Sequence, residues 1–219
     1  MDAYLFDLDG TLIDSFEDIA VSANHARRCV GLPERPTREL YGFVGEGAQR
    51  LIERTVGLDR PELVAPALAA WREHYEAHML EHTRPYPGVV EALGRIEGPK
   101  AVVTNKPAAS ARRLVEALGL APLVPIVVGG GDVESRKPDP EGSRLALSRL
   151  GVHERVVFVG DSIVDAETAK NAGFAFVGVL WGQGTRWQLE ALGARFFAQR
   201  AEELPKACLS ALGVRMTAG

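Results

Sequence analysis

The chain begins with a short apolar run that ends in two carboxylates. Tyr4 to Phe6 is typical of a buried strand, and Gly10 gives the backbone the freedom for a sharp turn after it. While the chain stays extended, Asp7 and Asp9 project to the same side. Two carboxylates at this spacing repel one another unless a cation lies between them or one is protonated. The stretch therefore indicates either a metal site with acid/base chemistry or an ordinary Asp-Gly turn.

The next part of the chain shows helical patterns with no strand pattern between them. The first helix is predicted over Ser15 to Val30, with Ser15 as the N-cap and Asp18 completing a capping-box pair. Further helices are predicted over Thr37 to Tyr41, Glu46 to Val56 and about Ala67 to Leu80. The last of them is expected to start after Pro66, because proline breaks or restarts a helix. We expect residues 15–83 to form a helical cap domain inserted after the first strand.

After the stiff segment Arg84 to Gly88, strands alternate with helices. Strands are predicted over Lys100 to Thr104, Pro125 to Val128, Arg155 to Val159 and Ala175 to Val179. Helices are predicted over Ala108 to Leu118, Pro140 to Leu150 and Val164 to Ala172. Such alternation predicts an α/β fold with a doubly wound parallel sheet, a Rossmann-like core. Residues 1–14 and 84–219 are expected to form this core domain, with the chain from Thr185 onward completing its edge.

Composition narrows the classes of function. The 219 residues carry a formal net charge of -4 and no basic run, which argues against nucleic acid or an anionic membrane as a partner and leaves small anionic substrates open. Cys29 and Cys208 lie far apart, so neither a disulfide framework nor a cysteine metal site is indicated. The sequence shows no signal segment or membrane-spanning run, so we expect a cytoplasmic location; monomer and homodimer both stay open.

Lysine is used sparingly, and arginine is the usual basic residue. Lysines occur only at Lys100, Lys106, Lys137, Lys170 and Lys206. Where arginine is the habitual surface cation, a retained lysine can mark a compact point charge that chemistry requires. Chance retention on the surface is an equally good explanation for any single one of them.

Hydrogen-bond donors and a cation follow two of the predicted strands, at the edge where such sheets bind ligands. Thr104 and Asn105 offer a hydroxyl and an amide to an oxyanion, although an ordinary turn, taken by itself, is the better explanation of the pair. Lys137, in the loop before the following helix, could supply the positive charge that a bound phosphate needs. An exposed loop lysine is the alternative.

Carboxylates follow the other strands of the same predicted edge. Asp161 comes directly after a strand, and Asp165 lies one helical turn later on the same face. A carboxylate in the first turn of a helix is also stabilised by the helix dipole, so one of the two has a purely structural explanation. Together with Asp7 and Asp9 the pair would form an oxygen-rich site suited to Mg²⁺.

The predicted insert holds further candidates. Gly45 to Gly47 could present helix N-terminal amides to a substrate carboxylate, with Arg50 one turn later; a simple turn with a surface arginine is the alternative. His74, His78 and His82 recur every fourth residue. We interpret them as a solvated or packing stripe rather than a zinc site, because the chemistry above needs no zinc.

Taken together, these motifs resemble those of the haloacid dehalogenase superfamily. They are Asp7 to Leu12, Val103 to Asn105, Lys137-Pro138, and Gly160 to Ser162 with Asp165. The helical insert resembles the cap of the superfamily's phosphatase branch. More narrowly, Phe43 to Ala48, Val103 to Pro107, Gly129 to Val133 and Lys137 to Pro140 are similar to bacterial phosphoglycolate phosphatases.

The resemblance implies a role for each motif. Asp7 would attack phosphorus and form an aspartyl phosphate, and Asp9 would act as general acid and then base. Mg²⁺ would be held by Asp7, the Asp9 carbonyl and Asp161, with Asp165 in its second shell. The charge on the transferring phosphoryl group would be stabilised by Thr104, Asn105 and Lys137. The expected substrate-binding residues are Gly10, Thr11, Asn105 and Arg50.

The implied function is hydrolysis of a small phosphate monoester, with 2-phosphoglycolate as the leading candidate. The dehalogenase branch lacks the second aspartate of the first motif, and Asp9 is present here. Phosphonoacetaldehyde hydrolases need a cap lysine, and no lysine precedes Lys100. The open alternatives are a sugar phosphomutase, a pyrophosphatase, a sugar or nucleotide phosphatase and, last, a non-enzymatic phosphate-binding protein.

Overall fold

Residues 1–151 and 154–213 are described by the structure, a computed structural model of the chain. The strands are β1 (Ala3–Phe6), β2 (Ile13–Asp14), β3 (Arg84–Pro85), β4 (Lys100–Pro107), β5 (Ile126–Gly130), β6 (Val156–Gly160), β7 (Ala175–Val179) and β8 (Phe196–Ala198). The helices are α1 (Phe16–Cys29), α2 (Thr37–Tyr41), α3 (Ala48–Val56), α4 (Val64–His78), α5 (Val89–Arg95), α6 (Ala108–Ala117), α7 (Glu141–Leu150), α8 (Ile163–Ala172), α9 (Arg186–Ala191) and α10 (Leu204–Ala211). In the ranges described, no helix is long and apolar enough to cross a membrane.

Six parallel strands form the main sheet in the order β5-β4-β1-β6-β7-β8. Alternate residues of β1 point into different cores: Tyr4 and Phe6 pack in one cluster, and Leu5 packs in another with Phe158. Because helices cover both faces, every strand of the sheet centre is apolar on both sides. The predicted doubly wound α/β fold is confirmed.

A short antiparallel ribbon joins the chain where it leaves and re-enters the sheet region. In this ribbon Ile13 pairs with Pro85, and Asp14 pairs with Arg84. Helices α1 to α4 lie between these two crossings, with α1 packed on α4. The predicted division into a cap of residues 15–83 and a core of residues 1–14 and 84–219 stays a prediction.

The predicted capping box at the start of the first helix is wrong. Ser15 is the N-cap residue of α1, but its hydroxyl makes no capping bond and donates to Asp9 Oδ1 at 2.5 Å. The Asp18 carboxylate accepts from the backbone N–H groups of His82 and Thr83 and from the Thr83 hydroxyl, at 2.7–3.0 Å. Burial raises the pKa of Asp18, but these hydrogen bonds outweigh it and the net shift is downward. Asp18 therefore anchors the segment in which the chain returns to the sheet.

Two helix starts in the insert differ from the prediction. Helix α4 begins at Val64 rather than near Ala67, because the first N–H groups of a helix have no intrahelical acceptor and Pro66 fits there without loss. Helix α3 begins at Ala48 rather than Glu46. Gly47 precedes it with φ 91°, a left-handed backbone conformation that only glycine adopts readily.

The predicted histidine stripe is only partly formed. The His74 ring stacks between those of His25 and His78, with 4.2 Å between centroids on each side. Helix α4 ends at His78, so His82 lies beyond it and its ring instead contacts Asp18. The first two residues of the stripe thus belong to the packing between α1 and α4.

The described part of the last segment, residues 185–213, forms an edge of the sheet, as predicted for the chain from Thr185 onward. Strand β8 pairs only with β7, and α10 packs against both. Helices α5, α9 and α10 were not predicted as elements.

Candidate active site

A buried lysine lies between two carboxylates at the edge of the sheet. Lys137 Nζ donates to Asp7 Oδ1 at 2.6 Å and to Asp165 Oδ1 at 2.7 Å. Asp7 directly follows β1, and Asp165 lies in the first turn of α8. Burial alone would lower the pKa of Lys137, but Asp165 and Asp7 outweigh it and raise the pKa. The predicted loop lysine is thus part of the site and not a surface residue.

Asp161 completes a group of three buried carboxylates with Asp7 and Asp165. One oxygen from each lies within 4.8 Å of the others. Burial, followed by the charge of Asp165, raises the pKa of Asp7 to about 8 and that of Asp161 to about 7. One ammonium, that of Lys137, is set against three carboxylates, so the cluster suits a divalent cation.

Asp165 has both of the roles that the sequence left open. Its Oδ2 accepts from the Ser162 backbone N–H at 3.0 Å and from the Ser162 hydroxyl at 2.6 Å. The Asp165 backbone N–H in turn donates to Ser162 Oγ at 3.3 Å, which completes a capping box at the start of α8. Asp165 Oδ1 faces Lys137. The hydrogen bonds between Ser162 and Asp165 therefore fix the Asp165 carboxylate, which orients Lys137.

The turn after β1 packs directly against Asp161. Thr11 Oγ1 donates to Asp161 Oδ1 at 2.8 Å. Gly10 has φ 86°, and a Cβ there would lie 2.5 Å from Asp161 Oδ2. Both residues were predicted to bind substrate, and the structure places both against the Asp161 carboxylate.

Asp9 lies apart from the group of three carboxylates and has its own lysine. Lys106 Nζ donates to both carboxylate oxygens, at 2.9 and 3.1 Å, and lies 4.7 Å from the centre of the Tyr75 ring on α4. Burial alone would lower the pKa of Lys106, but the Asp9 charge outweighs it and raises the pKa. Sequence reasoning did not include Lys106 among the site residues. The scarcity of lysine, which drew attention to Lys137, applied equally to Lys106.

Thr104 and Asn105 have different surroundings. Thr104 lines the cleft between the sheet edge and the insert, and its Oγ1 accepts from the Lys106 N–H at 3.2 Å. The Asn105 amide donates to the carbonyls of Gly45 and Lys137 at 3.0 and 3.1 Å, and its Oδ1 accepts from the Lys137 N–H at 2.9 Å. Asn105 therefore holds the Lys137 loop and the glycine loop of the insert in place.

The cleft has a polar floor and a largely apolar roof. Its floor includes Asp7, Asp9, Thr104 and Lys106, and its roof consists of residues from the insert. The roof residues are Ile19, Val44, Gly45, Gly47, Ala48, Leu51 and Trp71. The volume open to the centres of water-sized molecules is about 30 Å³, so the cleft is narrow. The structure does not bring Arg50 into this lining; its side chain is 62% exposed and forms an ion pair with Glu53 at 2.8 Å.

A glycine-containing loop after β7 also reaches the site. In the sequence, Gly182-Gln183-Gly184 alone is too weak a signal to indicate a nucleotide site. In the structure the Gln183 N–H donates to Asp161 Oδ2 at 2.8 Å. A contact made by a backbone N–H leaves no side-chain signature in the sequence, so sequence reasoning missed it.

Comparisons with known proteins agree with this architecture. Residues 4–179 match the family model described as haloacid dehalogenase-like hydrolase. The chain is 36% identical over 191 residues to a phosphoglycolate phosphatase of Neisseria meningitidis, covering 83% of this chain and 81% of that one. It is 37% identical over 188 residues to an N-acetylmuramic acid 6-phosphate phosphatase of Pseudomonas aeruginosa, covering 82% of each.

A solved structure is similar over nearly the full length. The crystal structure of a predicted phosphoglycolate phosphatase from Haemophilus somnus superposes with a TM-score of 0.84 at 26% identity, covering 94% of this chain and 97% of that one. The resemblance predicted from the motifs is confirmed. The chain belongs to the haloacid dehalogenase-like hydrolase family, in its branch of phosphoric monoester hydrolases.

Proposed function

We propose that the protein is a Mg²⁺-dependent phosphatase that hydrolyses 2-phosphoglycolate through an aspartyl-phosphate intermediate. The observation that carries this proposal is the buried cluster of Asp7, Asp161 and Asp165 around Lys137. Three carboxylates and one ammonium leave an excess of negative charge, which would repel a phosphate dianion. A divalent cation among these oxygens is what makes phosphate binding compatible with them.

The donor set fits Mg²⁺ because every side-chain ligand offers oxygen and none offers sulfur or nitrogen. Asp7, Asp161 and the backbone carbonyl of Asp9 would hold the ion, with Asp165 orienting its surroundings. When bound, Mg²⁺ neutralises charge on the phosphate oxygens and on the Asp7 carboxylate. The buried position and the raised pKa values of Asp7 and Asp161 both support a cation at this position.

The first half of the reaction forms a bond between an Asp7 oxygen and phosphorus while the bond from phosphorus to the substrate's ester oxygen breaks. Asp9 donates a proton to the departing oxygen. In the second half Asp9 takes a proton from water, and the water oxygen attacks phosphorus. The bond from phosphorus to Asp7 breaks, so inorganic phosphate leaves and the Asp7 carboxylate is restored.

Three further residues contribute positive charge, a hydrogen bond or positioning: Lys137, Thr104 and Asn105. Lys137 lies 2.6 Å from the nucleophile and can follow the charge that moves onto the phosphoryl oxygens. Thr104 lines the same cleft and offers its hydroxyl. Asn105 acts by holding the backbone of Lys137, because its amide already bonds that backbone on both sides.

The choice of 2-phosphoglycolate rests on the cleft and on the names of relatives. Lys106 is the only cationic side chain in the cleft lining, within the part of the chain that the structure describes, and could face a substrate carboxylate. The narrow cleft favours a small ester. The relative from Pseudomonas aeruginosa, named for a phosphorylated amino sugar acid, supports that larger substrate as the second candidate.

The test is release of inorganic phosphate from a panel of 2-phosphoglycolate, N-acetylmuramic acid 6-phosphate, sugar phosphates, nucleotides and pyrophosphate. With Mg²⁺ we expect the highest kcat/KM on 2-phosphoglycolate. Chelation with EDTA and the variant Asp7→Asn should each abolish turnover. Asp59→Asn is the matched control, since Asp59 is 78% exposed and should keep full activity.

Each other outcome has a distinct meaning. Phosphate release by purified Asp7→Asn at the parent rate would refute the aspartyl-phosphate mechanism. Strong turnover of another panel member beside weak turnover of 2-phosphoglycolate would refute the substrate. Interconversion of sugar phosphates without net phosphate release would identify a phosphomutase, and Mg²⁺-dependent binding without any reaction would identify a binding protein.

A further inference from the structure

The segment Trp181 to Gly184, between β7 and α9, wraps around Asp161. The Gln183 N–H donates to Asp161 Oδ2 at 2.8 Å, and the Gly184 N–H donates to the Asp161 carbonyl at 2.9 Å. Thr11 holds the other carboxylate oxygen. Both oxygens of Asp161 are thus positioned by hydrogen bonds, one from each side of the sheet edge.

The two glycines permit this close approach. A Cβ at Gly182 would lie 2.3 Å from Asp161 Oδ2, and a Cβ at Gly184 would lie 2.1 Å from the Asp161 carbonyl oxygen. Both distances are far below van der Waals contact, so any other residue would push the segment away. The segment and Asp161 therefore move as one unit.

The side chain of Gln183 reaches in the opposite direction, to the insert. Its Nε2 donates to the carbonyl of Tyr41, the last residue of α2, at 2.5 Å. The Tyr41 ring stacks on Phe16 of α1 with 5.6 Å between centroids, and its hydroxyl donates to Glu17. Through Tyr41, Gln183 is therefore connected to the packing between α1 and α2 in the insert.

The same segment is tied to the turn after β1. Trp181 Nε1 donates to the Thr11 carbonyl at 3.0 Å, and the Thr11 hydroxyl donates to Asp161. The connection from Asp161 to Gln183 is therefore braced and has little freedom to adjust by itself. Displacement of α2 would have to break the Gln183–Tyr41 bond or pull on the segment that holds Asp161.

We propose that Gln183 is a positioning residue that couples the placement of the helical insert to the metal-site carboxylate Asp161. The inference rests on the proposed metal-dependent function. A cation at Asp161 relieves the repulsion among the three carboxylates and holds the Trp181–Gly184 segment in place. Through its hydrogen bond to the Tyr41 carbonyl, Gln183 then restrains α2. The loop from α2 to α3 contributes Val44, Gly45 and Gly47 to the roof of the cleft.

The experiment uses the whole chain with Mg²⁺ alone and measures hydrogen exchange of the backbone amides of residues 39–45. Two variants remove the donor: Gln183→Ala, and the isosteric Gln183→Glu, which also keeps the size of the side chain. Both retain the backbone N–H that holds Asp161. Gln199→Ala, at an exposed glutamine outside both α2 and the Trp181–Gly184 segment, is the matched control. Circular dichroism checks the fold, and titration calorimetry measures the Mg²⁺ Kd.

In the parent and in Gln199→Ala we expect Mg²⁺ to slow exchange at residues 39–45 by about fivefold or more. In both Gln183 variants the slowing should be lost while the Mg²⁺ Kd stays within about threefold of the parent, and KM should rise more than kcat falls. Full Mg²⁺ protection in both variants would overturn the inference alone. Loss of Mg²⁺ binding in both would also overturn it, because Gln183 would then act only on Asp161. Failure of the parent to bind Mg²⁺ would overturn the proposed function together with this inference.

Discussion

The floor and the roof of the cleft are built on different principles. Each charged floor residue is paired with an opposite charge from a distant part of the chain, as Asp7 is with Lys137 and Asp9 with Lys106. The roof is mainly apolar and is formed by helix faces such as those of Leu51 and Trp71, which also pack in the hydrophobic core. In the proposed function the floor would therefore carry out the reaction, and the roof would limit the size and character of the substrate.

The two site lysines show the same contrast within one residue type. Lys137 joins Asp7, the proposed nucleophile, to Asp165, and all three lie at the edge of the sheet. Lys106 joins Asp9 to the face of Tyr75 on α4, so it connects the floor to the insert. Four measurements test this contrast between floor and roof.

The largest effect is expected from Lys137→Met. Loss of the ammonium beside the nucleophile should lower kcat on the order of 10²–10³-fold. Lys106→Met should lower kcat less and should raise KM most for esters that carry a carboxylate. Steady-state kinetics on esters with and without a carboxylate measure both, with circular dichroism as the check on folding. Equal kinetic defects in the two variants would remove the distinction between floor and roof.

Asp18→Asn tests how strongly the insert is attached to the sheet. The charged carboxylate accepts several hydrogen bonds while almost fully buried, so its neutral replacement should lower the free energy of unfolding by about 2–3 kcal/mol. Urea unfolding measures the change. The surface pair Asp2–Arg155 provides the control, since Asp2→Asn should cost less than about 1 kcal/mol. Equal costs would mean that the return segment is not anchored by Asp18.

The affinity for Mg²⁺ should depend on pH through the buried carboxylates Asp7 and Asp161. Without metal the pKa of Asp7 lies at about 8 and that of Asp161 at about 7, so protons compete with the ion. The Mg²⁺ affinity should therefore rise about tenfold or more from pH 6 to pH 8, with protons released on binding. Calorimetry in buffers of different ionisation enthalpy tests this, and an affinity independent of pH would contradict it.

The smallest effect is expected in the stacked histidines of the insert. Burial, then the charges of His25 and His78, lower the pKa of His74, so the unfolded chain binds a proton more readily. Stability from this group is therefore lost as pH falls through about 6.5, the unfolded value. His74→Gln should reduce the parent's loss of stability between pH 7.5 and 5.5 by about 1 kcal/mol or less, whereas the control variant Gln199→Ala, which removes no titratable group, should leave that loss unchanged. Contributions of Asp7 and Asp161 are common to all three proteins and cancel in the difference.

The sequence predicted the sheet and much of the floor because both follow local rules. Apolar runs that end in polar residues mark strand ends, and parallel strands bring those ends to one edge. This reasoning predicted that Asp7, Asp161 and Asp165 would meet and that Lys137 would join them. It also predicted that the last segment lies at the edge of the sheet, but it did not predict the helices α9 and α10 in that segment.

Other features depended on long-range contacts that no local pattern contains. Ser15 and Asp18 fit a capping box by spacing, yet each has a partner elsewhere, Asp9 and Thr83 respectively, that local rules do not consider. Lys106 was missed because its partners lie on β1's turn and on α4. Gln183 was missed for the same reason, since its side chain bonds a backbone carbonyl and leaves no side-chain signature. The roof residues that lie on helices show the periodicity of any packed helix, and this pattern does not reveal the substrate.

The central position of β1 has a consequence for how the protein is made. β1 is synthesised before both of the strands that flank it, β4, which starts at Lys100, and β6, which starts at Val156. Pairings of such long sequence separation form slowly, and a chain still on the ribosome cannot complete them. Asp7 therefore follows an apolar, unpaired strand until both neighbouring strands have been made. The cluster of Asp7, Lys137, Asp161 and Asp165 can form only after α8 has emerged.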